Sequence, residues 1–284
     1  MSAPDSTPLD RTVRQQAVAT GLAFLMAESI RRHDRNRRKR DAALMIHLRD
    51  SLSYRAEAVL WHPAMLRVLQ STGTRRLRDS RPNTLESHGL LLQVASEHHF
   101  LFDDLVFNSL SLFDYVGNSV GFSLYGERRR KAKWARIQRY AADPAFEQRE
   151  HPATRISSSA LGACILGVYA KLVKALTEYR AALIHYEAQL GPGESRFEFK
   201  NAEDGQLHAE YTLLLRVPQR FARLFVVPGY ESDPSQATLI DAADWLARET
   251  TQESTRVLRA LERELRIEAG VSPDGTDGTV EIVA

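Results

Sequence analysis

Apolar residues recur at helical spacing along most of this chain, and two stretches carry the pattern furthest. Between about 155 and 189, Leu161, Ile165, Val168, Leu172, Leu176, Tyr179 and Leu183 fall on one stripe at 100° per residue. That stripe predicts a long helix with one side in a core. The other side carries Ala163, Gly167, Ala170, Lys174, Thr177, Ala181, His185 and Ala188. Apart from Lys174 and His185 these are small, and small side chains let another helix approach closely. The second stretch, about 84–125, is apolar around most of its circumference, through Leu101, Leu105, Leu112, Phe113, Val116, Val120 and Phe122. One polar stripe interrupts it: Asp104, Asn108, Ser111, Asp114 and Asn118. Asn83-Thr84-Leu85-Glu86 reads as its start and Gly126 as its stop.

The remaining elements are shorter. Residues 1–8 are rich in Ser and Pro and read as a disordered tail. A helical pattern through Val13, Ala17, Leu22, Leu25 and Met26 runs to about 32, and a second helix covers 36–60. Trp61-His62-Pro63 is expected to break it, with a short helix to Gln70 and a polar loop over 71–83 (STGTRRLRDSRPN). A basic helix is expected over 128–141, and Asp143-Pro144 reads as the start of a linker. Gly191-Pro192-Gly193 ends the long helix. Alternation in Arg196–Lys200 and Tyr211–Leu215, with Asp204-Gly205 between, predicts a β-hairpin. A last helix over 235–268 carries Leu239, Ala243, Leu246, Val257, Leu261 and Leu265. The expected fold class is mainly α: an up-and-down helical bundle with extra N-terminal helices and a small β-hairpin before the last helix. The expected organisation is a disordered tail at 1–8 and an N-terminal helical extension at 9–83. The bundle then occupies 84–268, with its hairpin at about 196–217, and a disordered tail follows at 269–284.

Composition narrows the class without naming it. The chain has 284 residues, 43% hydrophobic and 26% charged, enough for a substantial core. Lys and Arg number 38 against 36 acids, so net charge hardly favours nucleic acid. The distribution says more. Residues 31–40 and residues 128–139 each hold seven Lys or Arg, with one acid in the first run and none in the second. Each run is either a phosphate-binding segment or a solvated charged face. Cys164 is the single cysteine, which excludes an internal disulfide and a Cys-based zinc site within one chain. The start MSAPDSTPLD has no basic n-region and apolar core, and no apolar stretch reads as long enough for a membrane span. A cytoplasmic protein without membrane partners is therefore expected.

Chemistry concentrates at the end of the long helix. Arg180 and His185 stand five residues apart, flanked by Tyr179, Tyr186 and Glu187. Arginine binds phosphate and keeps its charge near neutrality; histidine moves protons at pH 7. The two are separated by roughly 140° around the axis, so both reach one phosphate only from a groove beside the helix. The polar stripe on the other long helix offers carboxylates to orient them: Asp114 first, Asp104 behind it, with Asn108 beside them. His98, His99 and Asp103 include a His–carboxylate pair one helical turn apart, but no third ligand is apparent, so no metal site is expected. HExxH, a P-loop, GxGxxG and Gly-x-Ser-x-Gly are all absent.

The segments FDDLVFNSLSLFDYVGNSV (102–120) and YRAALIHYEAQ (179–189) resemble the HEPN superfamily, over about residues 84–190. The resemblance implies an α-helical up-and-down bundle with an Arg-x4-His motif on a late helix. It further implies metal-independent endoribonuclease activity of the kind found in toxins and antiviral effectors. Such domains often dimerise so that two motifs share one cleft. Arg180 would stabilise the phosphoryl oxygens, and His185 would act as general base or acid. Attack by the ribose 2′-hydroxyl would leave a 2′,3′-cyclic phosphate, with no cofactor and no metal. Lys174 would hold a neighbouring phosphate, and Arg128, Arg129, Arg130, Lys131 and Lys133 would carry more of the backbone.

The chain departs from the family at two points. Active members usually carry a polar residue, often Asn or Asp, directly after the Arg, where this chain has Ala181, and one toxin subgroup has a Tyr two residues after the His, where this chain has Glu187. A non-catalytic HEPN module that binds RNA, a nucleotide or a protein remains the alternative, as does a plain helical structural protein. RNA, a second copy of the chain and an antitoxin or regulatory protein are the expected partners.

Overall fold

The computed structural model describes residues 38–80, 85–127, 133–184, 193–201 and 207–269. The expected helix ending near 32, both tails, and the run Arg128–Lys131 lie outside them. The fold is mainly α, as the periodicity predicts. In chain order the helices are α1 (Arg38–Asp79), α2 (Leu85–Tyr125), α3 (Trp134–Ala142), α4 (Pro144–Glu150), α5 (Ala160–Val168), a π-helical turn (Tyr169–Val173) and α6 (Lys174–Ile184). Strands β1 (Gly193–Asn201) and β2 (Leu207–Leu215) follow, then α7 (Gln219–Leu224), a 3₁₀ turn (Pro234–Gln236) and α8 (Leu239–Ala269).

The chain forms two compact units. The first comprises residues 1–57, 110–173 and 251–284; the second comprises 58–109 and 174–250. The first unit buries Phe113, Ile137, Tyr140, Ile156, Leu161 and Ile165. The second buries Leu66, Phe102, Leu105, Leu176, Tyr179 and Phe221. Each of these large side chains contributes about 1.5–3 kcal/mol by leaving water.

Three expectations about helices need correction. Pro63 does not break the first described helix: α1 runs through it for 42 residues. Proline removes one N–H and crowds the carbonyl one turn back. Flanking contacts hold the segment: the His62 ring lies between the Ala58 carbonyl, 2.5 Å from Nδ1, and the Asp104 carboxylate, 2.8 Å from Nε2. The loop expected over 71–83 is helical up to Asp79. Gly73, which suggested a turn, is buried where α1 meets α2; a Cβ there would lie 2.6 Å from Val94 Cγ1. The linker expected at Asp143-Pro144 is instead the start of α4, with Asp143 Oδ1 accepting the Phe146 N–H at 2.9 Å and proline at the first turn, where its missing N–H costs nothing.

The expected small β-hairpin is also corrected. Backbone pairing runs antiparallel from Gly193↔Leu215 to Asn201↔Leu207, so the paired stretch does not match the bounds of 196–217. Among the residues whose side chains are described, only the end of one strand, β2, is anchored, through Leu213 and Leu215. That end is held from outside the ladder: Gln70 donates to the Leu213 carbonyl at 2.9 Å, and Arg216 bridges to Thr238. The correction is therefore to the bounds and to how the element is held: the paired strands span Gly193–Leu215, and no larger sheet or barrel is built among the described residues. The alternating pattern came from residues that enter a helical core only at the strand's end.

The long helix expected at 155–189 begins at Ala160, capped by the Ser159 hydroxyl, which accepts the Gly162 N–H at 3.2 Å. The π-turn at Tyr169–Val173 interrupts it; inserted turns of this kind often mark functional segments. From Ala160 to Ile184 it is 25 residues long and apolar enough to cross a membrane by length and composition. This corrects the expectation that no stretch qualifies. Lys171 and Lys174 break the apolar run to the eye without removing the window, and a buried core helix passes the same test.

Candidate functional site

In the second unit, α2 and α6 bring a carboxylate to the residue that precedes Arg180. Tyr179 belongs to the core stripe and is buried against Phe221, with ring centroids 5.5 Å apart. Its hydroxyl donates to Asp103 Oδ1 at 3.4 Å. Burial pushes the Asp103 carboxyl from 3.8 up to about 7, against the opposing effect of the Tyr179 hydrogen bond. Burial also pushes the Tyr179 hydroxyl up, with the Asp103 charge acting in the same direction. Arg180 is half-buried. Its Nε is enclosed and has no hydrogen-bond partner among the described residues. A guanidinium nitrogen enclosed without an acceptor costs about 1–3 kcal/mol or more until one arrives.

His185, Tyr186 and Glu187 lie outside the described residues. Lys174, Thr177 and Ala181 are exposed on α6, and Ala163 and Ala170 are exposed on the same long segment. The small-residue face is partly approached from within the first unit: a Cβ at Gly167 would meet Arg256 Nη2 at 3.1 Å.

Asp114, expected as the partner of Arg180, belongs to the first unit, whereas Arg180 belongs to the second. Its Oδ1 accepts the Trp134 N–H at 3.3 Å. That puts an acid at the positive end of α3, whose own preceding residue, Lys133, makes no capping bond. Gly117, one turn further along α2, permits the approach, since a Cβ there would lie 2.7 Å from Trp134 N. Trp134 is buried against Phe113 and Lys133 is exposed. Asp104 bonds His62, and Asn108 donates to the Asp104 carbonyl at 2.9 Å. Both belong to the second unit with Arg180, and Asp103, which sequence reading had set among possible metal ligands, is the carboxylate that meets the motif's flank.

The residues of that metal trio are used separately. His98 Nδ1 donates to the Val94 carbonyl at 2.7 Å, and burial lowers the ring's affinity for a second proton. Among the described residues no group of three His, Cys, Asp or Glu side chains is placed to hold a metal ion.

A second polar cluster, in the first unit, was not anticipated. Gly126, at φ 65°, ends α2; its N–H donates to the Phe122 carbonyl and the Glu127 N–H to the Gly121 carbonyl. This turn sends Glu127 back toward the core. Glu127 Oε1 accepts the Tyr140 hydroxyl at 2.7 Å and His151 Nε2 at 2.7 Å. Arg136 Nε donates to the Tyr140 oxygen at 2.6 Å, and its Nη2 donates to Glu150 at 2.7 Å. The His151 ring stacks on Tyr125 at 3.9 Å. Tyr125 donates in turn to Glu147, which is wholly buried. Glu147 also accepts the backbone N–H groups of Arg155, Ile156 and Ser157 at 3.1, 2.7 and 2.9 Å. Burial opposes its charge, but these donors win and hold its carboxyl below the ordinary range. Sequence reading missed the cluster because, apart from Arg136 and Tyr140, its partners lie 8–24 residues apart and no periodicity links them. Its one visible signal was acidic and aromatic residues at the end of an otherwise apolar helix.

Comparison of the chain with family models, with curated proteins and with solved structures finds no match.

Proposed function

We propose that this protein is a HEPN-like endoribonuclease that cleaves RNA through Arg180 and His185 without a metal. The observation that carries this reading is the Nε of Arg180, enclosed and without a partner among the described residues, one residue after Tyr179 and its contact with Asp103. A phosphate oxygen is the acceptor that such a nitrogen lacks. The 2′-hydroxyl oxygen attacks the adjacent phosphorus and the bond to the 5′-oxygen breaks. His185 takes the hydroxyl proton or gives one to the leaving oxygen, and Arg180 balances the charge on the non-bridging oxygens. The products are a 2′,3′-cyclic phosphate end and a 5′-hydroxyl end. Asp103 and Tyr179 position the helix that carries Arg180. Lys174 holds a flanking phosphate. Thr177 and Ala181, exposed on α6, lie on the face through which a second copy would contribute the other half of the acid–base pair. The chain would act in the cytoplasm, restrained by an antitoxin or regulatory protein.

The test is RNA cleavage in EDTA by the wild type, Arg180→Ala and His185→Ala, with analysis of the new ends. Loss of about 100- to 10,000-fold in each variant, with cyclic phosphate ends from the wild type, is the expected result. A second reading rests on Ala181, exposed on α6 where active family members carry a polar residue. It makes the chain a non-catalytic RNA-binding module, and folded wild type that binds RNA but leaves it intact would establish that instead.

A further inference from the structure

The polar segment 71–79, with arginines at 75, 76 and 78, is the last two turns of α1. As a helix it becomes a surface. Ser71, Thr74, Arg75 and Arg78 stand at spacings of three and four, so they share one side of α1. With Thr72 they line a recess of about 380 Å³. Arg75 is exposed and makes no ion pair among the described residues. Arg78 has only its exposed neighbour Asp79, at 3.6 Å, a contact worth little in water. Arg76 points elsewhere, to Glu97 at 3.3 Å. The face therefore offers two exposed guanidinium groups and three hydroxyls, with Asp79 at its edge.

The helix behind this face is fixed. Leu77 is buried, Gly73 lies against Val94, Gln70 holds the Leu213 carbonyl, and Arg76–Glu97 ties α1 to α2. A ligand here meets donors already held in place, and little backbone order is lost on binding.

We propose that the Ser71–Arg78 face of α1 is a binding surface for the phosphate backbone of single-stranded RNA. This rests on the reading of the chain as a protein that acts on RNA. Guanidinium groups and hydroxyls are the donors that phosphate oxygens take. No aromatic side chain lines the recess, so the surface grips backbone and reads no base, and it binds different sequences alike.

The experiment measures binding of a fluorescent single-stranded RNA of mixed sequence against salt concentration. The protein is the full chain with His185→Ala, to prevent cleavage, with and without Arg75→Gln/Arg78→Gln. Arg259→Gln/Arg263→Gln, an equal charge change on exposed residues of α8, is the control, and circular dichroism confirms folding of each. Removing two phosphate contacts makes the slope of log K against log salt shallower by about 1.4. That change in Arg75→Gln/Arg78→Gln, with the control unchanged, is the expected result. RNA binding with an unaltered slope in Arg75→Gln/Arg78→Gln overturns the surface and leaves the ribonuclease reading standing. An equal change in the control overturns it as a general charge effect. Failure of the parent protein to bind any RNA overturns both.

Discussion

Two buried carboxyls, one in each compact unit, have opposite surroundings. Glu147 is wholly enclosed and takes hydrogen bonds from Tyr125 and three backbone amides, which hold it charged. Asp103 takes one long hydrogen bond from Tyr179, and burial raises it to about 7. Glu147 has the donors of a group whose work is to hold the His151–Ser159 segment against α4. Asp103 is under-supplied, and Arg180, the residue after Tyr179, has an enclosed Nε without an acceptor among the described residues. A saturated polar cluster fixes structure; an unsaturated one leaves free energy for a ligand to collect. Glu147 therefore reads as scaffold, and the Asp103–Tyr179 contact next to Arg180 as the place to look for chemistry.

The largest expected effect breaks the saturated side. Glu147→Ala leaves the Tyr125 hydroxyl and three amides without their acceptor. It should cost on the order of 3–5 kcal/mol, read as a lower midpoint in urea with an unchanged slope. Asp103→Asn keeps a polar side chain beside Tyr179 and should cost less than about 1 kcal/mol at pH 7. Equal losses in the two variants would end the contrast.

The same contrast predicts opposite dependences on pH. In the native state Glu147 titrates below its ordinary 4.5, so the unfolded chain binds its proton first. Its contribution is present above 4.5 and disappears as pH falls through the native value. Asp103 behaves in reverse: between 3.8 and about 7 the native state holds the proton and the unfolded state does not. Stability is then full below 3.8 and declines as pH rises toward 7, by at most about 4 kcal/mol at roughly 1.4 per unit. Asp103→Asn should abolish that decline. Denaturation midpoints at pH 4, 5.5 and 7.5 measure it, and a variant curve parallel to the wild type would show that Asp103 is not the group responsible.

A smaller effect belongs to Tyr179→Phe. The hydroxyl lowers the Asp103 value, so its loss should move the Asp103 titration upward and cost about 1 kcal/mol. The carboxyl resonance of Asp103, followed by nuclear magnetic resonance across pH 5–9, reports it directly. A downward shift would mean that Tyr179 does not donate to Asp103.

Periodicity made the long elements legible. The stripe Leu161, Ile165, Val168, Leu172, Leu176 and Tyr179 is buried as the spacing requires, and α2 stops at Gly126, in the left-handed region. Local punctuation misled wherever tertiary contacts outvoted it. Pro63 and Gly73 both lie within α1, the first flanked by His62 and its contacts, the second pressed on Val94. At the candidate site Arg180 was legible because arginine and histidine at that spacing are chemically distinctive. Asp103 was not, because nothing in a sequence tells which of Asp103, Asp104 and Asp114 faces α6. Each has a different partner, Tyr179, His62 and the Trp134 amide, and only packing assigns them.

Glycine contacts offer the finest comparison between the units. A Cβ at Gly162, in the first unit, would lie 2.0 Å from the Ile156 carbonyl oxygen, and backbone cannot step aside. At Gly73, in the second, the obstacle is a Val94 methyl at 2.6 Å, which must shift by moving α1, α2 or the valine rotamer. Against this stands the helix preference for alanine, about 1 kcal/mol over glycine. Gly73→Ala should therefore lose about 1–3 kcal/mol to overpacking and recover about 1, for a net cost near 1 kcal/mol. Gly162→Ala should cost several times more. Thermal unfolding of the two variants side by side measures the difference. A neutral Gly73→Ala protein that also binds RNA normally would mean that α1 can move off α2 freely, and that the rigid presentation of the Arg75 and Arg78 face plays no part in binding.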